Sequence, residues 1–413
     1  MAAIHGGSAS IILFVPIGTA FHERTFALCE SLNYREWSGY YAVSAYETHH
    51  EHEYSAIRHA AALIDISPLF KYRVTGPDAT RLVDRVITRD AHRMSVGQVW
   101  YTPWCDEHGK VIDDGTVARL DEQRYRWTAA DPSLRWFRRN AAGLRVEIED
   151  DSERVAALAL QGPSSARVLR AAAEADIDSL RYFRVTSGRI GGVAVDISRT
   201  GYTGDLGYEI WMPADSALDV WDTLMQEGRP FGIKPAGMLA LDVARVEAGL
   251  LLIDVDFNSS RKALVDAQKY TPFELGLGRL VAIDKGPFVG RTALAEERRR
   301  GPARMVVGLE LDWTEVEALY ERLALAPVAP TAASRVHVPV RRDGQQVGRA
   351  TTTVWSPTLK RLLALATIDA PFFVEGTRLE VEMTVEAARH FVGAIVVKTP
   401  FFNPPRKTAT PPE

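Results

Sequence analysis

The chain has 413 residues, of which 46% are hydrophobic and 25% are charged, and its formal net charge is −4 at pH 7. This composition is typical of a folded protein with room for two or three domains, and it excludes an intrinsically disordered chain. The charge gives no support to a nucleic-acid or anionic-membrane surface, and the two cysteines, Cys29 and Cys105, exclude a disulfide framework and a thiolate metal site.

The first 36 residues are interpreted as a variable N-terminal extension. Their apolar run at 11–15 is broken by Pro16 and Gly18, and no Lys or Arg precedes it, so the pattern of a signal peptide is missing. No apolar run of about 18 residues occurs elsewhere, so no transmembrane helix is expected. Because two cysteines also suit a reducing compartment, a cytoplasmic location is predicted.

A cluster of histidines and acids, His49-His-Glu-His-Glu53, precedes a segment at 54–63 with helical spacing of small and apolar residues. The cluster could bind a metal, or it could form a solvated helix start with acids in the first turn. The second interpretation is preferred because no matching ligand cluster follows. No metal site is therefore predicted.

Residues 66–150 alternate between strand and helix patterns. In the segment 64–74 a strand is expected after a break at Ser67-Pro68. Further strands are expected at 98–104, 111–117, 124–128 and 145–149, and helices at 78–87 and from residue 131. We interpret this order as the β-α-β-β-α-β unit of a split ferredoxin-like domain.

Two adjacent carboxylates, Asp113 and Asp114, lie in one of these strands. Side chains on a strand alternate between faces, so the two should point in opposite directions. One would face solvent, and the other would face inward, where a carboxylate must be paired or bound to a ligand. Taken alone, the pattern is more typical of a surface turn.

The following region contains a glycine-rich segment at 199–211, after strands expected at 155–160 and 193–198. Glu209 lies in this segment between two apolar residues. It either faces outward from a half-exposed strand or faces inward, where it needs a hydrogen-bond donor. Helices are expected at 214–227 and 235–247.

Generic catalytic motifs are missing: there is no Walker loop, dinucleotide-binding glycine pattern, nucleophile elbow or zincin helix. Seven other motifs occur in a fixed order. They are Val-Ile-Asp-Asp (111–114), Leu-Gln-Gly-Pro (160–163), Arg-Thr-Gly-Tyr-Thr-Gly-Asp-Leu-Gly-Tyr-Glu-Ile (199–210), Lys-Pro-Ala-Gly (234–237), Arg-Val-Glu-Ala-Gly (245–249), Phe-Val-Gly-Arg-Thr-Ala-Leu (288–294) and Ser-Pro-Thr-Leu (356–359). From about residue 37 onward the chain resembles the glycine-cleavage T-protein superfamily of folate-dependent one-carbon transferases.

The resemblance implies an α+β fold, a three-domain cloverleaf around a channel for tetrahydrofolate. The expected parts are the extension at 1–36, a folate-binding domain from 37–65 and 153–285, a ferredoxin-like domain at 66–152, and a C-terminal β-barrel or jelly roll at 302–400. Within the last part, Asp343-Gly344 is typical of a two-residue hairpin turn.

The resemblance also implies site residues. Asp113 matches the family's catalytic aspartate, which lies against the pterin. Glu209 matches the glutamate that pairs with the guanidine-like edge of the pterin, an edge that suits a carboxylate accepting two N–H bonds. Tyr101 and Tyr202 resemble contacts along the folate channel.

Three positions depart from the T-protein pattern: Leu241 stands where an arginine is usual, Thr128 where an asparagine is usual, and Arg279 where a tryptophan is usual. The segments 66–71 and 310–313 instead resemble the methyl-transferring branch. The preferred hypothesis is therefore a tetrahydrofolate-dependent demethylase, a methyltransferase that takes a methyl group from a small methoxyaromatic or methylamine donor.

Two alternatives remain open. One is an aminomethyltransferase that acts on a lipoyl-carrier protein, and the other is a non-catalytic folate-binding protein. The proton for the leaving group could come from Tyr101, Trp104 or His108. Trp100, Trp104 and Trp127 could wall a pocket, although a place in the core is preferred.

Overall fold

The structure, a computed structural model, describes residues 15–411. In this part of the chain the helices are α1 His22–Leu28, α2 Glu51–His59, α3 Ala79–Val86, α4 Leu134–Asn140, α5 Ser165–Ala172, α6 Ala217–Gly228, α7 Met238–Glu247, α8 Arg291–Arg300 and α9 Trp313–Arg322. The strands are β1 Asn33–Trp37, β2 Tyr40–Ala45, β3 Ala61–Asp65, β4 Phe70–Thr75, β5 Val99–Cys105, β6 Val111–Asp121, β7 Arg124–Ala129, β8 Glu147–Asp150, β9 Val155–Gln161, β10 Ala173–Glu174, β11 Val185–Ile190, β12 Val193–Ser198, β13 Gly207–Pro213, β14 Ile233–Pro235, β15 Arg304–Leu311, β16 Val338–Arg342, β17 Gln345–Ser356, β18 Arg361–Asp369, β19 Arg378–Val385 and β20 Ala388–Val397.

Most of these strands form three larger assemblies, and β1 and β2 pair separately. A seven-stranded sheet has the order β10-β11-β12-β13-β9-β3-β14, a five-stranded sheet has the order β5-β6-β7-β4-β8, and a closed barrel has the order β15-β18-β17-β16-β19-β20. The predicted α+β fold with a C-terminal barrel is therefore confirmed.

The five-stranded sheet has one strand more than the predicted β-α-β-β-α-β unit. The three strands expected at 98–104, 111–117 and 124–128 all lie between α3 and α4, where β6 turns directly into β7 and β5 is added at the sheet edge. The remaining order, β8-β4-β7-β6, keeps the two halves of the unit interleaved, and all neighbouring pairs are antiparallel.

The chain passes from one sheet to the other within a few residues. It leaves the seven-stranded sheet after Asp65 and enters the five-stranded sheet at Phe70, with Pro68 in the turn between them. The break predicted at Ser67-Pro68 is present, because proline lacks an N–H for a strand ladder.

The helix expected at 235–247 also begins later than predicted. Residues 233–235 form β14, which pairs in parallel with β3, and the helix starts at Met238. Gly237 precedes it in extended backbone, where a β-carbon would lie 2.6 Å from the Ser44 carbonyl oxygen. This close approach separates the strand from the helix.

The N-terminal segment is packed against the seven-stranded sheet from residue 19 onward. Phe21 is fully buried and its ring centroid lies 5.7 Å from that of Trp221. The Thr19 hydroxyl donates a 2.6 Å hydrogen bond to Asp65. The first 14 residues of the extension lie outside the described residues, and the division into domains stays a prediction.

The C-terminal barrel contains the predicted hairpin. Arg342 pairs with Gln345, so Asp343 and Gly344 form a two-residue turn with φ of +50° and +78°. Two positive φ values match the twist of the flanking strands, as in a type I′ turn.

Within residues 15–411, no helix is both long enough and apolar enough to cross a lipid bilayer.

Candidate active site

Asp113 lies on the inner face of β6 and is fully buried. Its Oδ1 accepts the N–H of Asp114 at 2.8 Å, and its Oδ2 accepts those of Ala130 and Asp131 at 3.0 and 2.9 Å. Burial and the neighbouring Asp114 carboxyl raise the pKa of Asp113. Both carboxylate oxygens thus accept backbone N–H groups, so the Asp113 side chain has a structural role.

Asp114, the next residue, points to the opposite face and is partly exposed. Its Oδ2 accepts a 2.5 Å hydrogen bond from the Tyr101 hydroxyl on the neighbouring strand β5. Burial raises the pKa of Asp114 to about 6, although the bond from Tyr101 acts against the rise. A carboxyl with this pKa can hold or release a proton near neutral pH.

Tyr202 joins these two residues from the glycine-rich segment after β12. Its hydroxyl donates to the carbonyl of Leu251, so its ring, more than its hydroxyl, is available for contact. Burial raises the pKa of Tyr202, and the Asp114 carboxyl also raises it. The carboxyl of Asp114 also raises the pKa of Tyr101, after burial. The structure therefore brings Asp114, Tyr101 and Tyr202 together.

A polar stripe continues from Asp114 along the same face of the five-stranded sheet. Thr116 follows two residues later on β6, and its hydroxyl shares a 2.7 Å hydrogen bond with that of Thr128 on β7. Arg126 lies two residues before Thr128, so alternation places it on this face as well. Its guanidinium lies over the Trp211 ring at 4.6 Å.

Glu209 stands at the far end of this stripe, on β13 of the seven-stranded sheet. It is partly exposed, and its Oε2 accepts a 2.8 Å bond from the Thr200 hydroxyl. Its Oε1 has no hydrogen-bond partner among residues 15–411. Burial raises the pKa of Glu209, whereas Thr200 and Arg126 act against the rise. A half-buried carboxylate with one unused oxygen suits a ligand that presents N–H groups.

The positions that depart from the T-protein pattern have separate surroundings. Leu241 packs against the central apolar cluster. Arg279 is exposed. The pKa of the nearby Arg89 is lowered to about 10, first by burial and second by the positive charge of Arg279. The Thr128 hydroxyl accepts the backbone N–H of Thr116 and shares a hydrogen bond with the Thr116 hydroxyl.

The proton-donor candidates differ in access. Trp104 is fully buried and its Nε1 has no acceptor, and His108 is exposed in the turn between β5 and β6. Tyr101 contacts the Asp114 carboxyl directly. Trp100, Trp104 and Trp127 belong to the apolar core of the five-stranded sheet, so their interpretation as core residues is confirmed.

The acids and histidines at 49–53 open helix α2. Glu53 is buried and accepts the backbone N–H groups of Tyr46 and Gly237, each at 2.7 Å. His50 makes a 2.9 Å hydrogen bond with the carbonyl of Thr331. These contacts give the segment a structural role.

Arg126 and Thr200 were not predicted as site residues from the sequence. The signal available for Arg126 was the alternation of 124, 126 and 128 on a strand next to an aromatic core. Thr200 lies outside any strand, so no alternation pattern pointed to it. Its hydroxyl meets Glu209 only because the chain turns between β12 and β13.

Comparisons with known proteins agree with this architecture. The model of the GCVT N-terminal domain matches residues 20–285, and the model of the glycine cleavage T-protein C-terminal barrel domain matches residues 322–403. The chain belongs to the glycine cleavage T-protein family. The predicted enzyme class, a tetrahydrofolate-dependent transferase, and the predicted cofactor are confirmed with this membership.

Two curated relatives illustrate the similarity. An aminomethyltransferase of Moorella thermoacetica is 35% identical over 359 residues, which are 86% of this chain and 90% of the relative. A trimethylamine-oxide aldolase of Ruegeria pomeroyi is 35% identical over 377 residues, 88% of this chain but 44% of that protein. The chain thus spans less than half the length of the aldolase.

A solved structure shares the fold. The glycine cleavage system aminomethyltransferase T from Bartonella henselae superimposes with a TM-score of 0.79, at 23% identity, over 94% of this chain and 98% of that one. At this identity the likeness concerns the fold alone.

Proposed function

We propose that this family member is an aminomethyltransferase, which transfers a one-carbon unit from a lipoyl-carrier protein to tetrahydrofolate. The observation that carries the proposal is the match to aminomethyltransferases along nearly their whole length, as for the Moorella relative at 90% of its chain. This was the alternative in the sequence analysis, and the similarities support it better than the demethylase that was preferred there.

The residues around Asp114 and Glu209 would hold tetrahydrofolate, which when bound supplies the nucleophilic nitrogen that accepts the one-carbon unit. The unused Oε1 of Glu209 is a fitting partner for the N–H groups at the guanidine-like edge of a pterin. The rings of Tyr101 and Tyr202 offer apolar surface beside Asp114. Thr116 and Thr128 line the face between these two ends.

We assign the role of the catalytic carboxylate to Asp114, whereas the sequence analysis predicted it for Asp113. Asp113 is fully buried with both oxygens occupied, and Asp114 is partly exposed with a hydroxyl partner that can pass a proton. Asp114 would hold or take up a proton at its Oδ2 as charge develops in the site. Asp113 would fix the strand and the loop after β7.

The demethylase remains a second candidate because of specific features of this chain. A relative named trimethylamine-oxide aldolase matches 88% of it, and Leu241 presents an apolar side chain at a position where the family pattern has arginine.

Mass spectrometry of the folate product tests the two candidates. The protein and tetrahydrofolate are incubated either with an aminomethyl-lipoyl carrier protein or with a panel of methoxyaromatics, methylated amines and trimethylamine N-oxide. Methylenetetrahydrofolate formed with the carrier protein, above an enzyme-free blank, supports the proposal. 5-Methyltetrahydrofolate formed with a small donor supports the demethylase, and no product in either arm contradicts both.

The rate should depend on pH through Asp114. Its pKa is raised to about 6, so the carboxylate form that we propose as active is present above pH 6 and is lost as the pH falls through 6. The acid limb of a plot of kcat/KM against pH should therefore have an apparent pKa near this value. A limb that persists unchanged in the Asp114→Asn variant would contradict the assignment.

Replacing Glu209 with alanine should weaken tetrahydrofolate binding. Loss of a charge-assisted pair of hydrogen bonds is expected to raise the Kd about 10- to 100-fold. Fluorescence titration measures this, and Glu174→Ala, which removes an exposed glutamate from the same sheet, is the matched control. An unchanged Kd in Glu209→Ala would refute the pterin assignment.

A further inference from the structure

A cleft lies between the two open sheets and shares Arg126 with the polar stripe described above. Its volume is about 320 Å³, which lies at the lower end of the range for small-molecule pockets. Strands β4 and β7 form one wall, and strands β11 and β12 form the other. The charged residues that line it are Lys71, Arg73, Arg124, Arg126, Asp151 and Asp196.

The strand register explains why the cations collect on one wall. Lys71 pairs with Thr128 and Arg73 pairs with Arg126 across β4 and β7. Since alternate residues of a strand share a face, these side chains all project from the same side of the five-stranded sheet. That side faces β11 and β12.

Most of these charges are balanced within the protein. Asp196 accepts 2.8 Å bonds from Arg126 and from the Ser187 hydroxyl. Asp151 pairs with Arg73 and Arg154. Arg124 pairs with Asp121 at 3.1 Å outside the cleft. The two carboxylates of the cleft and three of its four cations are therefore paired within the protein.

Lys71 is the exception. Its side chain is 1% exposed, and its ammonium donates one hydrogen bond, of 2.6 Å, to the carbonyl of Ser67. No carboxylate of residues 15–411 lies within 4 Å of it. The pKa of Lys71 is lowered to about 8, chiefly by burial, with a smaller lowering from Arg126, whereas Asp65 and Asp150 act against the change.

Arg126 adds further donors beside this lysine. Its Nη1 bonds Asp196, while its other N–H groups have no protein acceptor in the described part of the chain. A buried ammonium without a counterion is unfavourable unless a ligand supplies the negative charge. The surplus is a single positive charge, so a monoanion matches it better than a phosphate dianion next to two carboxylates.

We propose that this cleft binds a small monocarboxylate, held by the Lys71 ammonium and by the free N–H groups of Arg126. The site is distinct from the pterin-binding carboxylate Glu209 and does not depend on the proposed transferase reaction. Arg126 forms a wall common to both, because its charge also acts on Glu209.

Isothermal titration calorimetry with lactate tests the proposal, at constant ionic strength. Lactamide, which has the same shape without the charge, and inorganic phosphate are the comparison probes. Lactate is expected to bind saturably and at least tenfold more tightly than either. Absence of saturable lactate binding, or equal affinity for lactamide or phosphate, would overturn the proposal.

Variants separate a binding role of Lys71 from a structural one. Lys71→Met should weaken lactate binding at least tenfold while the melting temperature stays the same or rises, because an unpaired buried charge is removed. Lys234→Met, which removes an exposed lysine elsewhere, is the matched control. Lactate affinity in Lys71→Met that equals the affinity in this control would overturn the proposal.

A second variant guards against misfolding of the first. Arg73 is 43% exposed in its side chain, so Arg73→Gln should fold normally and weaken lactate binding a few-fold through its loss of charge. Tetrahydrofolate binding should stay within twofold of wild type in Lys71→Met, and Glu209→Ala should keep its lactate affinity. Failure of the transferase assignment would thus leave the lactate result unchanged.

Discussion

Replacement of Asp114 by asparagine is expected to lower turnover about 10²- to 10³-fold while tetrahydrofolate still binds. Asparagine keeps the shape of the side chain and can still accept the Tyr101 hydroxyl, but it cannot take up a proton. Single-turnover measurements with saturating folate separate this loss from a binding defect. Asp121→Asn, at the exposed end of the same strand, is the control.

Asp113→Asn should behave differently from Asp114→Asn. Asp113 accepts three backbone N–H groups, and an amide would direct its own NH₂ group toward one or more of these donors. The free energy of unfolding should fall by about 1–3 kcal/mol. A normal stability with a large loss of turnover in Asp113→Asn, together with full activity in Asp114→Asn, would restore the original prediction of Asp113 as the catalytic carboxylate.

Glu247→Ala is expected to cause the largest loss of stability, about 3–5 kcal/mol. The Glu247 carboxylate is fully buried and accepts bonds from Arg58, from the Tyr54 hydroxyl at 2.5 Å and from the Ser356 hydroxyl at 2.5 Å. These donors come from helix α2 and the end of strand β17, and Glu247 itself ends helix α7. Without the carboxylate, the Arg58 guanidinium keeps a weaker contact, 3.7 Å from Asp205.

The midpoint of urea unfolding measures this loss, and Glu149→Ala provides the control. Glu149 pairs with Arg154 at 2.9 Å on the surface, so its removal should cost no more than about 1 kcal/mol. Because surface pairs are screened by solvent, similar midpoint shifts in the two variants would contradict a structural role for the Glu247 cluster.

The Glu247 cluster also shows what two of the sequence motifs do. Glu247 lies in Arg-Val-Glu-Ala-Gly and Ser356 begins Ser-Pro-Thr-Leu, and the two side chains meet in the buried contact between helix α7 and the barrel. These two motifs therefore stabilise the junction between helix α7 and the barrel.

The sequence by itself determined the class of fold and the family. Alternating apolar residues predicted most strands, and Asp343-Gly344 predicted its turn, because these patterns depend on neighbours within a few residues. The order of seven motifs then identified the family without any knowledge of contacts.

The tertiary structure decided which carboxylate is buried among backbone N–H groups and which is partly exposed. Adjacent residues of a strand point to opposite faces, so the sequence required Asp113 and Asp114 to differ but could not say which faced inward. The answer depended on Ala130 and Asp131, whose N–H groups reach Asp113 only after β6 pairs with β7. The charge balance of Lys71 was equally hidden, because the residues that surround it come from distant parts of the chain and are brought together only when the two sheets pack.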